Sequence, residues 1–259
     1  MTDIRFKSVF NNLAQRQLVV PWLENALLSD SWPESYDIKI DSGEYYGAPG
    51  GVPDGYFHPS THPLMGAREL YYRFHPDYRD NIIQERKSLQ SHMTLAMGSA
   101  LHGVVQAQFQ MAGMLSPENT ELEYVNKEHH VRGRIDFVLD PHPSGEKVLV
   151  ELKTQNSFAF KKQESIKPSW DAQMSLAMDN TGFDYGILLV MESGWPYSFK
   201  EFRVPRNDKL LSDIYDKFDY VRSCIAMDTP PKYCCVLGSK EMENCPARYS
   251  CWLADEVES

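Results

Sequence analysis

The sequence predicts an α/β protein whose mixed central β-sheet is flanked by helices. Two observations carry this. Residues Tyr185 to Met191 form an unbroken apolar run, the pattern of a central strand covered on both faces. Around it, helix-periodic segments alternate with short strand-like runs in the order helix, three strands, helix, two strands, helix.

The N-terminal segment, residues 1–57, shows a helical apolar pattern from Val9 to Leu28, with Pro21 as a kink or restart. It reads as packing. From Trp32 to Pro63 the chain is rich in Gly, Pro, Ser and Tyr, including Gly47 to Pro53, and reads as an ordered loop or linker. Residues 58–227 carry the predicted core. Leu70, Tyr71 and Phe74 give a helical apolar stripe, with Arg68 and Arg73 able to reach a phosphate. A clear amphipathic helix is expected over Met97 to Leu115, with Leu101, Val104, Val105, Phe109 and Ala112 on its apolar side. His102 lies beside that stripe, one turn from Gln106. A lone histidine there is more often structural than a ligand.

Leu122 to Lys127 reads as a short strand leading through Glu128, His129 and His130 into the hairpin that organises the chain. Adjacent histidines on a strand point to opposite faces, so these two are candidates for a substrate rim rather than one chelating pair. The hairpin joins Gly133 to Asp140 with Val148 to Thr154 through Pro141-His142-Pro143-Ser144-Gly145. Within its apolar strands Asp136, Glu151 and Lys153 need a reason. Alternation points Glu151 and Lys153 the same way, and Asp136 on the neighbouring strand can turn to meet them. Two carboxylates that close repel unless a cation sits between them, and one or two Mg2+ or Mn2+ ions suit such oxygen ligands. A lysine beside them can orient or deprotonate a water and stabilise charge on a phosphate. Acid-x-Lys alone discriminates poorly, since Asp37-Ile-Lys39 and Glu85-Arg86-Lys87 also occur, and a surface hairpin with an exposed Glu151–Lys153 ion pair is the bland alternative.

After the hairpin, Thr154 to Lys167 reads as a polar, basic loop. Pro168-Ser169 opens a helix, with Ser169 as its cap and Trp170, Gln173, Met174, Ala177 and Met178 on one face. A turn at Gly194-Trp195-Pro196 precedes an edge strand over Tyr197 to Val204, and Asn207 to Met227 reads as a long helix.

The spacing Gly-x-x-Asp, fourteen residues, then Glu-x-Lys resembles the PD-(D/E)XK nuclease superfamily, particularly its RecB-like exonuclease branch. The resemblance covers roughly residues 58 to 204. It implies a restriction-endonuclease-like core in which Asp136, Glu151 and the backbone carbonyl of Leu152 bind the metal. It also implies that His102, within Gly98-Ser99-Ala100-Leu101-His102, is a further ligand; an imidazole tilts the preference towards Mn2+. Lys153 would assist the attacking water. Gln173 matches the family's third motif and would position Lys153 or DNA, although Ala177 stands where the family has a tyrosine.

The tail, residues 228–259, holds Cys234, Cys235, Cys245 and Cys251, which could bind zinc or an iron–sulfur cluster. No two of them form Cys-x-x-Cys. Cluster-bearing relatives have an upstream cysteine where this chain has Gly66-Ala67, so a reduced, packed tail is the stronger expectation.

A net charge of −10 over 259 residues argues against a generally basic nucleic-acid binder. DNA contact needs only a local basic surface, for which Arg68, Arg132, Arg134, Lys161, Lys162 and Lys167 are candidates. No apolar run approaches the ~20 residues of a membrane span, no signal-peptide core is evident, and five cysteines, all after residue 223, make no secreted disulfide framework. A soluble, cytoplasmic enzyme is expected, without a membrane partner. With what the resemblance implies, the expectation is a metal-dependent deoxyribonuclease, a RecB-like exonuclease serving recombination, repair or phage DNA metabolism, with DNA as partner and room for a homo-oligomer or a recombination or replication protein. A structure-specific or restriction-like endonuclease is the alternative within enzymes. A catalytically silent DNA-binding or scaffold subunit is the alternative outside them, against which the retained charges of the hairpin count.

Overall fold

The computed structural model describes residues 17–28, 35–38, 54–83, 88–140, 142 and 145–253. Val9 to Leu13, the loop around Gly47 to Pro53, Glu85-Arg86-Lys87 and residues 254–259 lie outside the described residues.

Five strands form one sheet in sequence order. β1 (Thr120–Asn126), β2 (Val131–Leu139) and β3 (Val148–Gln155) are successively antiparallel. β3 then runs parallel to β4 (Tyr185–Glu192), and β5 (Phe199–Pro205) closes the edge antiparallel to β4. The parallel pair requires a crossover, which α4 (Ser157–Lys162) and α5 (Pro168–Thr181) supply. With helices on both faces, β4 is buried through nearly its whole length, as its continuous apolar run predicts.

The core divides by sheet face. On one side α5 and α6 (Asp208–Ala226) bury Met174, Leu176, Met178, Ile214 and Phe218 against Leu149, Leu188 and Val190. On the other, α1 (Val20–Leu28) and α3 (Leu89–Met111) bury Leu23, Val105 and Phe109 against Phe137, Val150, Leu152 and Leu189. A third cluster joins α2 (Ala67–Phe74) to the C-terminal residues Ala247 and Cys251.

Several expectations are corrected. α3 begins at Leu89, a turn and more before Met97, where Ser88 caps it by accepting from the Ser91 N–H, and Ala112 is exposed at its end rather than in the stripe. The basic stretch after β3 is not all loop: the Asn156 side chain accepts from the Ala159 N–H and starts α4. α5 opens with Pro168 itself in its first turn, and Lys167, not Ser169, is the residue before it. Phe57 packs into the core as well, fully buried and stacked on Phe218 with ring centroids 4.0 Å apart. α1 starts at Val20 with Pro21 in its first turn, where the Leu18, Val19 and Val20 N–H groups all donate to the Glu201 carboxylate of β5.

Candidate active site

The backbone pairing of β2 with β3 runs from Leu139–Val148 to Phe137–Val150 and stops one residue short of Asp136. There the Asp136 carboxylate, rather than a backbone carbonyl, accepts the Leu152 N–H at 2.7 Å. The acid is thereby held in the opening between two strands. Glu151 and Lys153 leave β3 on the same face, and Lys153 Nζ donates to Glu151 Oε1 at 2.6 Å. Glu151 is only 3 % exposed, which rules out the exposed surface ion pair.

Gln173, from α5, closes a triangle. Its Oε1 accepts from Lys153 Nζ at 2.9 Å while its Nε2 donates to Glu151 Oε1 at 2.6 Å. The amide orientation is fixed by this pair of bonds, since only the oxygen can face an ammonium and only the nitrogen can face a carboxylate. His102 arrives from the opposite face of the sheet on α3, its Nδ1 3.7 Å from Asp136 Oδ2. Gly98 eases the close approach of α3 to β3: a Cβ there would stand 3.1 Å from Thr154 Oγ1, and that hydroxyl would have to give by a few tenths of an ångström.

Burial and then the neighbouring Asp136 charge push the Glu151 carboxyl up to about 7, against the pull of Lys153. Burial would also raise Asp136, but His102, Lys153 and the Leu152 N–H outweigh it and hold it below the usual range. Burial works against the charged forms of His102 and Lys153 too; the two carboxylates prevail and raise both. The site is thus a compact set of coupled charges, in which burial first and Asp136 second raise the Glu151 carboxyl well above the usual carboxylate range.

By donor chemistry, two carboxylates and an imidazole suit a hard divalent cation that would relieve this like-charge pair. As placed, the side chains are drawn to one another and to Lys153, and among the described residues no three His, Cys, Asp or Glu side chains surround a common ion-holding point. The four tail thiols fall under the same statement.

Beside Asp136 and His102 a groove of about 620 Å³ opens between α3 and the β1–β2 pair. Two of its residues were missed in the sequence. Glu121 takes a left-handed φ of 55° at the start of β1, and Gln106 Nε2 donates both to Glu121 Oε1 and to the Asp136 backbone carbonyl, each at 3.1 Å. Glu121 pairs with Arg134 at 2.5 Å, and its carboxyl is raised by burial and by Asp136. No local motif marks either residue; only the fold brings them to Asp136.

The basic candidates are dispersed. Arg134 lines the groove in its pair with Glu121, and Arg132 pairs with Asp54 and Glu123. Arg68 is not placed to meet a phosphate. Its donors go to Cys251 Sγ, the Pro231 carbonyl and the Tyr72 hydroxyl, and its guanidinium lies 4.0 Å from the centre of the Tyr233 ring. Position 66 explains the tail: a Cβ on Gly66 would meet Cys234 Sγ at 2.7 Å, so the Cys234 thiol occupies the space a side chain there would need. His129 and His130 lie in the turn between β1 and β2 rather than on a strand, His130 with a φ of 52°, and both go into packing: His129 bonds Asp219 at 2.8 Å and stacks on Tyr215, while His130 stacks on Tyr56. Lys161 and Lys162 are exposed on α4.

No family model matches this chain, and no curated protein matches it. Among solved structures, an alkaline exonuclease (LHK-Exo) from Laribacter hongkongensis is 16 % identical, covering 67 % of this chain and 89 % of its own, with a TM-score of 0.49. LHK-Exo in complex with dAMP gives the same identity and coverage at 0.50. SSO0001 covers 92 % of this chain and 96 % of its own at 13 % identity, with a TM-score of 0.44. No helix among the described residues is long and apolar enough to cross a membrane. What the dAMP complex shares with this chain is its architecture, and the mixed five-stranded sheet flanked by helices is a restriction-endonuclease-like α/β fold.

Proposed function

We propose that this chain is a Mg2+- or Mn2+-dependent DNA nuclease that hydrolyses phosphodiester bonds, of the RecB-like exonuclease kind, acting in recombination, repair or phage DNA metabolism. The observation that carries the reading is the buried Lys153–Glu151–Gln173 triangle beside Asp136. An ion pair so deeply placed is costly to keep unless it performs chemistry.

Asp136, Glu151, His102 and the Leu152 carbonyl would hold the cation. When bound there, the ion lowers the pKa of an attacking water and offsets charge on the phosphate. Lys153 supplies a fixed ammonium next to the reacting phosphate, able to orient that water and to stabilise negative charge as it develops. Gln173 prevents the ammonium from swinging away and keeps Glu151 turned towards it. Arg134, on the groove wall, exchanges Glu121 for a phosphate when a strand enters.

The test is incubation of purified protein with end-labelled linear DNA and covalently closed circular DNA, with Mn2+ or Mg2+ and with chelator. An exonuclease releases label from linear DNA and leaves closed circles intact, whereas a restriction-like endonuclease opens the circles. No cleavage of either form with both metals would sink the reading and favour a silent DNA-binding subunit.

A further inference from the structure

Two exposed aromatic side chains stand at the end of the catalytic strand. Phe158, on the first turn of α4, is 69 % exposed, and Trp195, in the β4–β5 turn, is 85 % exposed. Exposed apolar residues scattered singly are ordinary. These two are carried on tips that the backbone ties together: the Ser193 N–H donates to the Gln155 carbonyl at 2.7 Å, and a Cβ on Gly194 would lie 3.8 Å from Ser157 Oγ. Phe158 and Trp195 follow these residues directly.

Both tips are held in shape. Asn156 caps α4, Phe160 is buried beneath it, and Lys200 Nζ donates to the Phe160 and Gln163 carbonyls at 2.7 and 2.9 Å. In the turn, the Tyr197 N–H donates to the Gly194 carbonyl at 2.7 Å, and Tyr197 keeps a φ of 58°, which a bulky aromatic adopts only at a cost. Tyr197 is itself 47 % exposed.

Charge is arranged to match. In a chain of net charge −10, the stretch 156–170 carries Lys161, Lys162 and Lys167 against the lone carboxylate of Glu164. Lys162 Nζ lies 4.0 Å from the centre of the Phe158 ring and Lys167 Nζ 4.3 Å from that of Trp170. Rigid exposed rings interleaved with ammonium groups suit a ligand with flat π-faces along a phosphate backbone, and bases present those faces only when unpaired.

We propose that Phe158 and Trp195 form a base-stacking platform for single-stranded DNA, with Lys161 and Lys162 on its phosphates. Phe158 is five residues on from Lys153, so by chain length their Cα atoms lie within about 17 Å of each other, a gap that one extended strand can span. Binding stands on the surface alone; only the fate of the bound strand rests on the nuclease reading.

The test uses the full chain in Ca2+ with labelled single-stranded DNA and a blunt duplex closed by a hairpin loop, read by anisotropy and by tryptophan quenching. Phe158→Ala and Trp195→Ala each weaken single-strand binding about tenfold, the loss of one stacked base. Trp195→Phe retains it, and duplex affinity changes less than about threefold. The quenching of parental fluorescence disappears in Trp195→Ala. Parental single-strand affinity in both alanine variants, equal losses on both substrates, or no single-strand binding by the parent overturns the platform. A platform that behaves as expected in a protein that cleaves nothing leaves this inference standing and removes the nuclease reading; normal cleavage with unaffected binding does the reverse.

Discussion

At the scale of single residues, the site depends on one amide. Gln173 accepts from Lys153 and donates to Glu151, so its loss frees two charged groups at once. Gln173→Ala is expected to lower the single-turnover cleavage rate by roughly tenfold, less than removal of the ammonium itself, because Lys153 still reaches Glu151 without its guide. Gln173→Glu is expected to be worse than alanine, since it places a third carboxylate on the pair and cannot donate to Glu151. The order parent, alanine, glutamate in rate at saturating Mn2+ checks this; a glutamate variant faster than alanine contradicts it.

His102 is open to a similar separation of roles. If it holds the ion, His102→Ala weakens Mn2+ binding in calorimetry and cleavage together, while the melting temperature of the metal-free protein moves little. A large loss of metal-free stability with unchanged Mn2+ affinity would return it to the packing role that a lone histidine beside an apolar stripe suggests.

Among the elements, α2 and the C-terminal tail form a unit built on Arg68. The guanidinium donates to Cys251, Pro231 and Tyr72 and faces the Tyr233 ring. Arg68→Ala is expected to lower stability by about 1–3 kcal/mol, since several partially buried acceptors lose their donor. Arg68→Lys is expected to recover little, as an ammonium cannot reproduce the planar fork. Cleavage per folded molecule should be unchanged in both. Thermal unfolding and active-site-normalised rates check the two halves separately; intact stability with lost DNA affinity would make Arg68 a phosphate contact after all.

The elements also show where local sequence stops being informative. β3, β4 and α6 are legible because their burial is uniform or strictly periodic. The hairpin was legible because charges inside an apolar strand are expensive, and that cost pointed to Asp136, Glu151 and Lys153 together. Gln173 could be matched by family resemblance, but its two hydrogen bonds, from Lys153 and to Glu151, could not be read from its own neighbours. Glu121 and Gln106 left no local sign, since their meeting depends on how α3 lies across the β1–β2 pair. Arg68 looked like a free cation because two of its acceptors, Cys251 and the Pro231 carbonyl, lie more than 150 residues away in the tail. Long-range pairing of that kind has no period or spacing to betray it.

At the scale of the whole molecule, the coupled charges tie stability to pH. Glu151, ordinarily near 4.5, is pushed up to about 7 by burial and Asp136. Between those values the folded metal-free protein binds a proton that the unfolded chain releases, so stability falls as pH rises through this window. His102, raised by the carboxylates, has the same sign: its contribution is present below its ordinary 6.5 and is lost as pH rises through its folded value. Asp136 is lowered from 3.8 and acts only in more acid solution. The melting temperature of the metal-free parent, measured relative to Glu151→Gln, should therefore decline from about pH 5 to 8, and saturating Mn2+ should flatten the decline by taking the proton's place. A parent that gains stability over the variant across that range would contradict the assigned charges.

The central claim is that Lys153 acts on a reacting phosphate and is not simply the buried partner of Glu151. The most direct measurement is the single-turnover rate of Mn2+-dependent DNA cleavage by the parent and by Lys153→Ala, with Mn2+ affinity measured by calorimetry on the same preparations. In Lys153→Ala, Mn2+ binding should persist or strengthen, because a neighbouring cation is gone, while the rate falls roughly 10²-fold or more. Cleavage by Lys153→Ala at the parental rate would contradict it.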